Sequence, residues 1–265
     1  MMQTPFSSLQ LQLRNSVAWV EMARPAVFNA FDEQMIAELD AVFVSLGANP
    51  QVRVVVLSAQ GRHFSAGADL QWMQRASQAS QADNLADARR FADMLARLAQ
   101  LPQPTVARIQ GAALGGGVGL ACACDMAIAS TDARFALSEA RLGILPAVIG
   151  PYLVNAVGLR QAKALALLAQ RIDAQRACEI GLVQQVVAPD QLDAAVDALV
   201  AELLLGSPQA QSAIKTFFGQ LSVAPVSEAV REYSAQTISR ARTTADASEG
   251  FAAFLGKRPP QWAGA

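Results

Sequence analysis

The chain is poor in histidine, cysteine and charge, and each scarcity closes off a class of function. Its single histidine, His63, excludes histidine-rich zinc sites. It leaves one member for a Ser-His-Asp triad, and no G-x-S-x-G elbow supplies the serine. Three cysteines among 265 residues are no disulfide framework in a chain long enough to fold without staples. Cys122, Cys124 and Cys178 read as free thiols in a reducing cytoplasm. Cys122 and Cys124 stand two apart, point different ways on a helix and make a poor metal pair, so no metal is expected. Only 16% of residues are charged and the net charge is −1. Without a basic stripe there is no electrostatic footprint for nucleic acid. The longest apolar stretch, around 113–130, carries glycines and Asp125 and is no membrane span. The opening MMQTPFSSLQLQL lacks a basic region followed by an apolar one, so no secretory signal is expected.

What is plentiful is apolar sequence, 52% of the chain. That fills a large core and leaves apolar surface for partner subunits to cover. VAWVEMA (17–23) and VRVVVLSA (52–59) read as strands, the second continuous enough for a parallel sheet covered on both faces. RPAVFNAF reads as a loop, and Asp32 caps a helix through MIAELDAVFVSL. GRHFSAGADL is a loop leading into a short helix. The polar stretch 74–89 reads either as a partly mobile lid or as the solvated face of a helix that runs to about Ala99. LPQPTVARIQG and MAIAS give strands on either side of a helix, GVGLACA. From residue 148 the pattern is mainly helical, with one last short strand in GLVQQVV (181–187). Alternating strands and helices followed by helices define an α/β core, here 1–200, and a helical C-terminal region, 201–265.

Two loops share one design. HFSAGADL and GAALGGGVGL each follow a strand, offer small residues and open a helix, whose first N–H groups are unpaired and carry partial positive charge. The second lacks the Lys-Ser/Thr of a P-loop and the G-x-G-x-x-G spacing. Two readings stand: close helix–strand packing, or two backbone N–H groups polarising one carbonyl oxygen.

HFSAGADL and IQGAALGGGVGLACACDMAIA, followed by FALSEARLGILPA, resemble the enoyl-CoA hydratase/isomerase (crotonase) superfamily. RPAVFNAF and EGFAAFLGKRPPQW resemble its flanking elements, so the resemblance spans nearly the whole chain. It implies a spiral of ββα units, a helical C-terminal trimerisation region (homotrimer or hexamer), an acyl-CoA thioester substrate and no cofactor beyond the CoA of that substrate. It makes the N–H groups of Ala68 and Gly116 the oxyanion donors, which stabilise an enolate. It lines the CoA path with Ser65, Ala66 and Asp69 beside Gly115, and offers Arg24 and Lys257 for the CoA phosphates, Lys257 across a subunit boundary.

Hydratases of this kind usually carry two glutamates. The position three beyond Gly116 is Gly119, and the position twenty further is Glu139, so one acid is kept and one is absent. Glu139 stands among Phe135, Ala136, Leu137, Ala140 and Leu142, surroundings that raise a carboxylate pKa. It is either the acid–base group or a peripheral partner of Arg134 or Arg141. One acid suits hydration of a 2-enoyl-CoA and also Δ3-Δ2 isomerisation; a non-catalytic acyl-CoA-binding protein is the third reading. HFSAGADLQWM, NAFDEQMIAEL and LSEARLGILPAVIGPYLV look most like bacterial methylglutaconyl-CoA and related branched-chain hydratases, which favours hydration. PAVIGPYLV makes one wall apolar through Val148 and Ile149, and the N–H of Ala147 is a candidate to hold the water. Restoring an acid by Gly119→Glu is expected to favour short straight chains. Asp125 reads as structural.

Overall fold

The computed structural model describes residues 6–264. The first five residues, part of the segment read for a signal, lie outside them. The chain opens as a hairpin, β1 (Leu9–Arg14) and β2 (Val17–Met22), followed by α1 (Glu33–Gly47). Asp32 caps α1 by accepting a hydrogen bond from the Met35 N–H at 2.9 Å. This is the expected side-chain capture of an otherwise unpaired donor. Strand β3 (Val54–Ala59) leads to α2 (Leu70–Gln78) and α3 (Gln81–Gln100). Two ββα units follow. The first is β4 (Thr105–Ile109), β5 (Ala112–Leu114) and α4 (Gly116–Ala123). The second is β6 (Met126–Ser130), β7 (Arg134–Ala136), a short 3-10 turn at Glu139–Leu142 and α5 (Gly150–Leu168). The core closes with β8 (Ile172–Asp173), α6 (Ala174–Glu179), β9 (Gln185–Val187) and α7 (Leu192–Leu204). Three more helices, α8 (Pro208–Gly219), α9 (Glu228–Arg242) and α10 (Ala245–Leu255), complete the chain.

The strands form a six-stranded sheet in the order β1-β2-β3-β4-β6-β9 and a three-stranded sheet in the order β5-β7-β8. From β2 onward the large sheet is parallel. All six residues of β3 are buried, as a strand covered on both faces requires. The consecutive strands of each ββα unit therefore pair in different sheets. The turns between them, and the loops that open the helices, gather where the sheets meet. The α/β class and the repeated ββα spiral are as expected.

The polar stretch 74–89 is helical apart from the break at Ala79–Ser80 and most of it is exposed, the second of its two readings. It is the outer side of α2 and α3, joined where Trp72 Nε1 donates to Asp87 Oδ2 at 2.9 Å. Within the region expected to be mainly helical from residue 148, α5 is broken at Gly158, whose φ of 75° and ψ of 157° are not helical. The last strand is only Gln185–Val187. The boundary expected at residue 200 falls inside α7, whose Leu192, Val196 and Val200 are buried against Val54, Val56 and Val106 of the large sheet.

Candidate active site

Segment 64–69 is laced between two others. Phe64 and Ser65 donate to Gln110 and Ala112 carbonyls, and Leu114 donates back to Ser65, each at 2.9 Å. On the other side, Ala66 donates to Phe28 O and Asp69 to Phe31 O. Gly67 N–H donates to the Ser65 hydroxyl at 3.2 Å, and that hydroxyl donates to Asn29 O at 2.8 Å. Between Phe64 and Asp69, only the Ala68 N–H has no acceptor among the described residues. Ala68 lines a cavity, so its free N–H can donate to a molecule bound there. The second free donor is at Gly116. Gly115 N–H is taken by Ala136 O at 2.9 Å, but Gly116 is the first residue of α4 and has no intrahelical acceptor.

The two free donors lie on neighbouring loops because two glycines, Gly67 and Gly115, stand back to back. Gly67 has φ +90°, and a Cβ there would lie 3.0 Å from Leu114 O and 3.8 Å from Gly115 N. Gly115 has φ +48°, and its Cβ would lie 3.9 Å from Gly67 Cα and 3.1 Å from Glu139 Oε1. Side chains at either place would strain the backbone and part the loops. The glycine run thus brings bare backbone to both the neighbouring loop and a carboxylate.

Glu139 starts the 3-10 turn after β7. Its Oε2 is buried and has no hydrogen-bond partner among the described residues. Neither Arg134 nor Arg141 is paired with it: Arg134 donates to the carbonyls of Thr131 and Ala133. Burial pushes the Glu139 pKa above the ordinary value of 4.5, opposed by a hydrogen bond from its own backbone. Ala66, Ala68, Gly115, Gly116, Glu139 and Ala147 all line one cavity of about 410 Å³. Its remaining walls are largely apolar, among them Phe31, Trp72, Phe91, Val148 and Ile149, and no Lys, Arg or His is among them. Two larger clefts, about 930 and 1080 Å³, lie elsewhere and are lined by neither donor.

Other expected site residues stand differently. Ser65 is fully buried and acts as the knot between two loops. Asp69 caps α2 by accepting from Gln71 and Trp72 N–H groups. Arg24 lies behind the first loop, with its guanidinium 2.8 Å from Asp32, 3.5 Å from Asp69 and 2.7 Å from Ala30 O. It holds the loop to α1 and does not line the cavity. Lys257 follows α10, is exposed and makes no ion pair among the described residues. The Ala147 N–H, expected to hold a water, already donates to Leu145 O at 2.8 Å, because the turn at Pro146 folds it back.

Gly119 has no space for an acid. A Cβ there would lie 2.3 Å from Ile149 Cγ2 and 2.9 Å from Ile149 Cβ. The expectation that Gly119→Glu supplies a working second carboxylate is therefore withdrawn. The apolar wall is legible in PAVIGPYLV, but this contact joins residues thirty positions apart and has no local signal. Asp125 is structural as expected: Oδ2 accepts from Thr105 N and Oγ1 at 2.7 and 2.8 Å and from Lys215 Nζ at 2.6 Å. His63 accepts the Ala112 N–H on Nδ1 at 3.0 Å, and burial with the Arg62 charge lowers its pKa. It is a neutral strut between the two loops. Burial pushes the Cys122 thiol up to about 12, which leaves it unreactive. Among the described residues no three His, Cys, Asp or Glu side chains gather as a metal site, and no helix is long and apolar enough to cross a membrane.

Two unpaired backbone donors and one desolvated carboxylate thus line the same cavity. The family model for enoyl-CoA hydratase/isomerase matches residues 12–265. The chain belongs to that family. A putative enoyl-CoA hydratase of Thermus thermophilus is 32% identical over 94% of this chain and 98% of its own length. A trans-2-decenoyl-[acyl-carrier-protein] isomerase of Streptococcus mutans is 30% identical over 98% of this chain and 99% of its own length. The crystal structure of an enoyl-CoA hydratase from Shewanella pealeana superposes with a TM-score of 0.94 at 39% identity, covering 97% of this chain and 96% of that one.

Proposed function

We propose that the protein hydrates a 2-enoyl-CoA to a 3-hydroxyacyl-CoA with Glu139 as the sole acid–base group. The observation that carries this is the buried, unpartnered Glu139 Oε2 beside the vacant N–H groups of Ala68 and Gly116. The thioester oxygen takes both donors. Glu139 removes a proton from water as the water oxygen bonds to C3. The C2=C3 electron pair moves onto the thioester as an enolate, and the two N–H groups hold its charge. The enolate then collapses, and C2 takes the proton from Glu139, which returns to the carboxylate. Loss of a single oxyanion donor typically costs about 3–4 kcal/mol of barrier, so this backbone pair is a major part of catalysis.

The acyl chain is of the branched, methylglutaconyl-CoA type. Val148 and Ile149 support this by making an apolar wall. With no cation in the lining, recognition rests on the methyl branch and not on a distal carboxylate. Ser65, Ala66, Asp69 and Gly115 shape the path of CoA. Lys257 takes a CoA phosphate across a subunit boundary, while Arg24 serves that path by fixing its loop. A homotrimer or a hexamer built from trimers is supported by exposed Phe218, Phe251 and Phe254 on α8 and α10. The three free cysteines support a cytoplasmic location.

One observation favours a second reading. The space at Gly119 is closed by Ile149 and the Ala147 N–H is taken by Leu145 O, so neither position expected to hold the water is open. A lone base can instead move a proton from C2 to C4 of a 3-enoyl-CoA, giving the 2-enoyl isomer. The deciding experiment offers crotonyl-CoA, 3-methylglutaconyl-CoA and a 3-enoyl-CoA to the enzyme. Loss of the conjugated-thioester absorbance from the first two supports hydration. Its appearance from the third, without a hydroxyacyl product, establishes isomerisation. Binding with no turnover of any of them makes the protein a non-catalytic acyl-CoA binder.

A further inference from the structure

Ile149, in the cavity wall, fills the space that a side chain at Gly119 would need. Gly119 sits one turn beyond Gly115 and Gly116, on the same face of α4. Ile149 is 3% exposed and is the N-cap of α5, its carbonyl accepting from Leu153 N–H at 3.1 Å. The Gly150 N–H donates to Pro146 O at 2.8 Å, so the turn before the helix is fixed too. The β-branched side chain has little rotational freedom. It occupies the space a side chain at Gly119 would need: an added Cβ there would fall 2.3 Å from Ile149 Cγ2, 2.9 Å from Ile149 Cβ and 3.8 Å from Leu95 Cδ1. Its other side faces the cavity.

Glycine inside a helix is less favourable than alanine. Here the absent methyl is the seat of Ile149, and the depth of the cavity follows from how far Ile149 sinks into it. We infer that Gly119 and Ile149 act as one specificity-determining pair, with Ile149 seated on the bare α4 backbone as the end wall that sets which acyl branches and lengths fit opposite Glu139. This rests on the reading that an acyl-CoA chain occupies the cavity. Shortening Ile149 opens the wall to larger acyl groups. A methyl at Gly119 pushes Ile149 into the cavity and closes it.

The test compares butyryl-CoA with 3-methylbutyryl-CoA by isothermal titration calorimetry, so it does not depend on which reaction the enzyme performs. A methyl group in an apolar pocket discriminates by about tenfold or more. Ile149→Ala is expected to shift the ratio of the two Kd values about tenfold toward the branched ligand. Gly119→Ala is expected to shift it the other way and to lower Tm. In the double variant, Gly119→Ala with Ile149→Ala, the new methyl enters vacated space, so Tm rises above that of Gly119→Ala alone. That comparison remains informative if Gly119→Ala itself folds poorly. An unchanged ratio in Ile149→Ala, or a double variant no more stable than Gly119→Ala, overturns the inference. If the wild type binds both thioesters but hydrates no enoyl-CoA, the hydration reading fails and the pair stands. If it binds neither thioester, both fall.

Discussion

Replacing Glu139 by glutamine keeps the shape of the side chain and removes its capacity to carry a proton. The structure assigns no other ionisable group to the cavity lining, so nothing there takes over either transfer. General acid–base catalysis is worth about 10²- to 10⁴-fold. Because one carboxylate serves both steps, the upper end is expected, a loss of about 10⁴ in kcat, or about 5.4 kcal/mol of barrier. Stability moves in the opposite sense. Burial raises the folded pKa of Glu139 above its ordinary 4.5, so the native state holds this proton more tightly than the unfolded chain. Native stability therefore falls as pH rises from the unfolded pKa through the folded one, and the deficit persists above it. Glutamine has no such deficit, so Glu139→Gln should have a higher Tm than wild type at pH 8 and no comparable gain at pH 4. Enoyl-CoA absorbance gives the rates and thermal scans at both pH values give the stabilities. Retained turnover, or a Tm that drops at pH 8, would refute the reasoning, because it would make Glu139 a structural partner.

The same raised pKa places the acid limb of kcat/KM above 4.5, with activity rising as the carboxylate ionises; a limb at or below that value contradicts a desolvated base. Gly115→Ala forces a side chain onto a φ of +48° and toward Glu139 Oε1 at 3.1 Å. It should cost about 1–3 kcal/mol of stability and most of the activity, read by urea unfolding and turnover together. Asp125→Ala removes bonds to Thr105 and Lys215. It should cost about 2–3 kcal/mol of stability while kcat of the folded enzyme is retained. Gly119→Glu drives a larger side chain into Ile149 and should lower stability by about 3 kcal/mol, with no gain on crotonyl-CoA.

Features carried by short, local sequence were readable in advance. The Asp32 cap, the buried valines of β3 and the two small-residue loops each show their physics within ten residues. Glu139 was legible as an acid in apolar company, and its freedom from Arg134 and Arg141 follows from the fold. The three-residue strands β5 and β7 carry too little pattern to be seen, since pairing in a second sheet and not propensity makes them strands. β1 and α10 were not separated from their surroundings either. The Ala147 N–H reads as free until the turn at Pro146 is known. Ile149 reads as one more apolar wall residue until α4 and α5 are seen to meet. Long-range approach decides those cases, and one sequence does not display it.

The proposed chemistry has one carboxylate add water across an enoyl thioester held by two backbone donors. It is tested by running crotonyl-CoA in heavy water with wild type and Glu139→Gln and analysing the product by mass spectrometry and NMR. The expected result is a 3-hydroxyacyl-CoA bearing deuterium at C2 from the wild type and almost none from the variant. A wild type that makes no hydroxyacyl product, or a variant that makes it at an undiminished rate, would contradict hydration by Glu139.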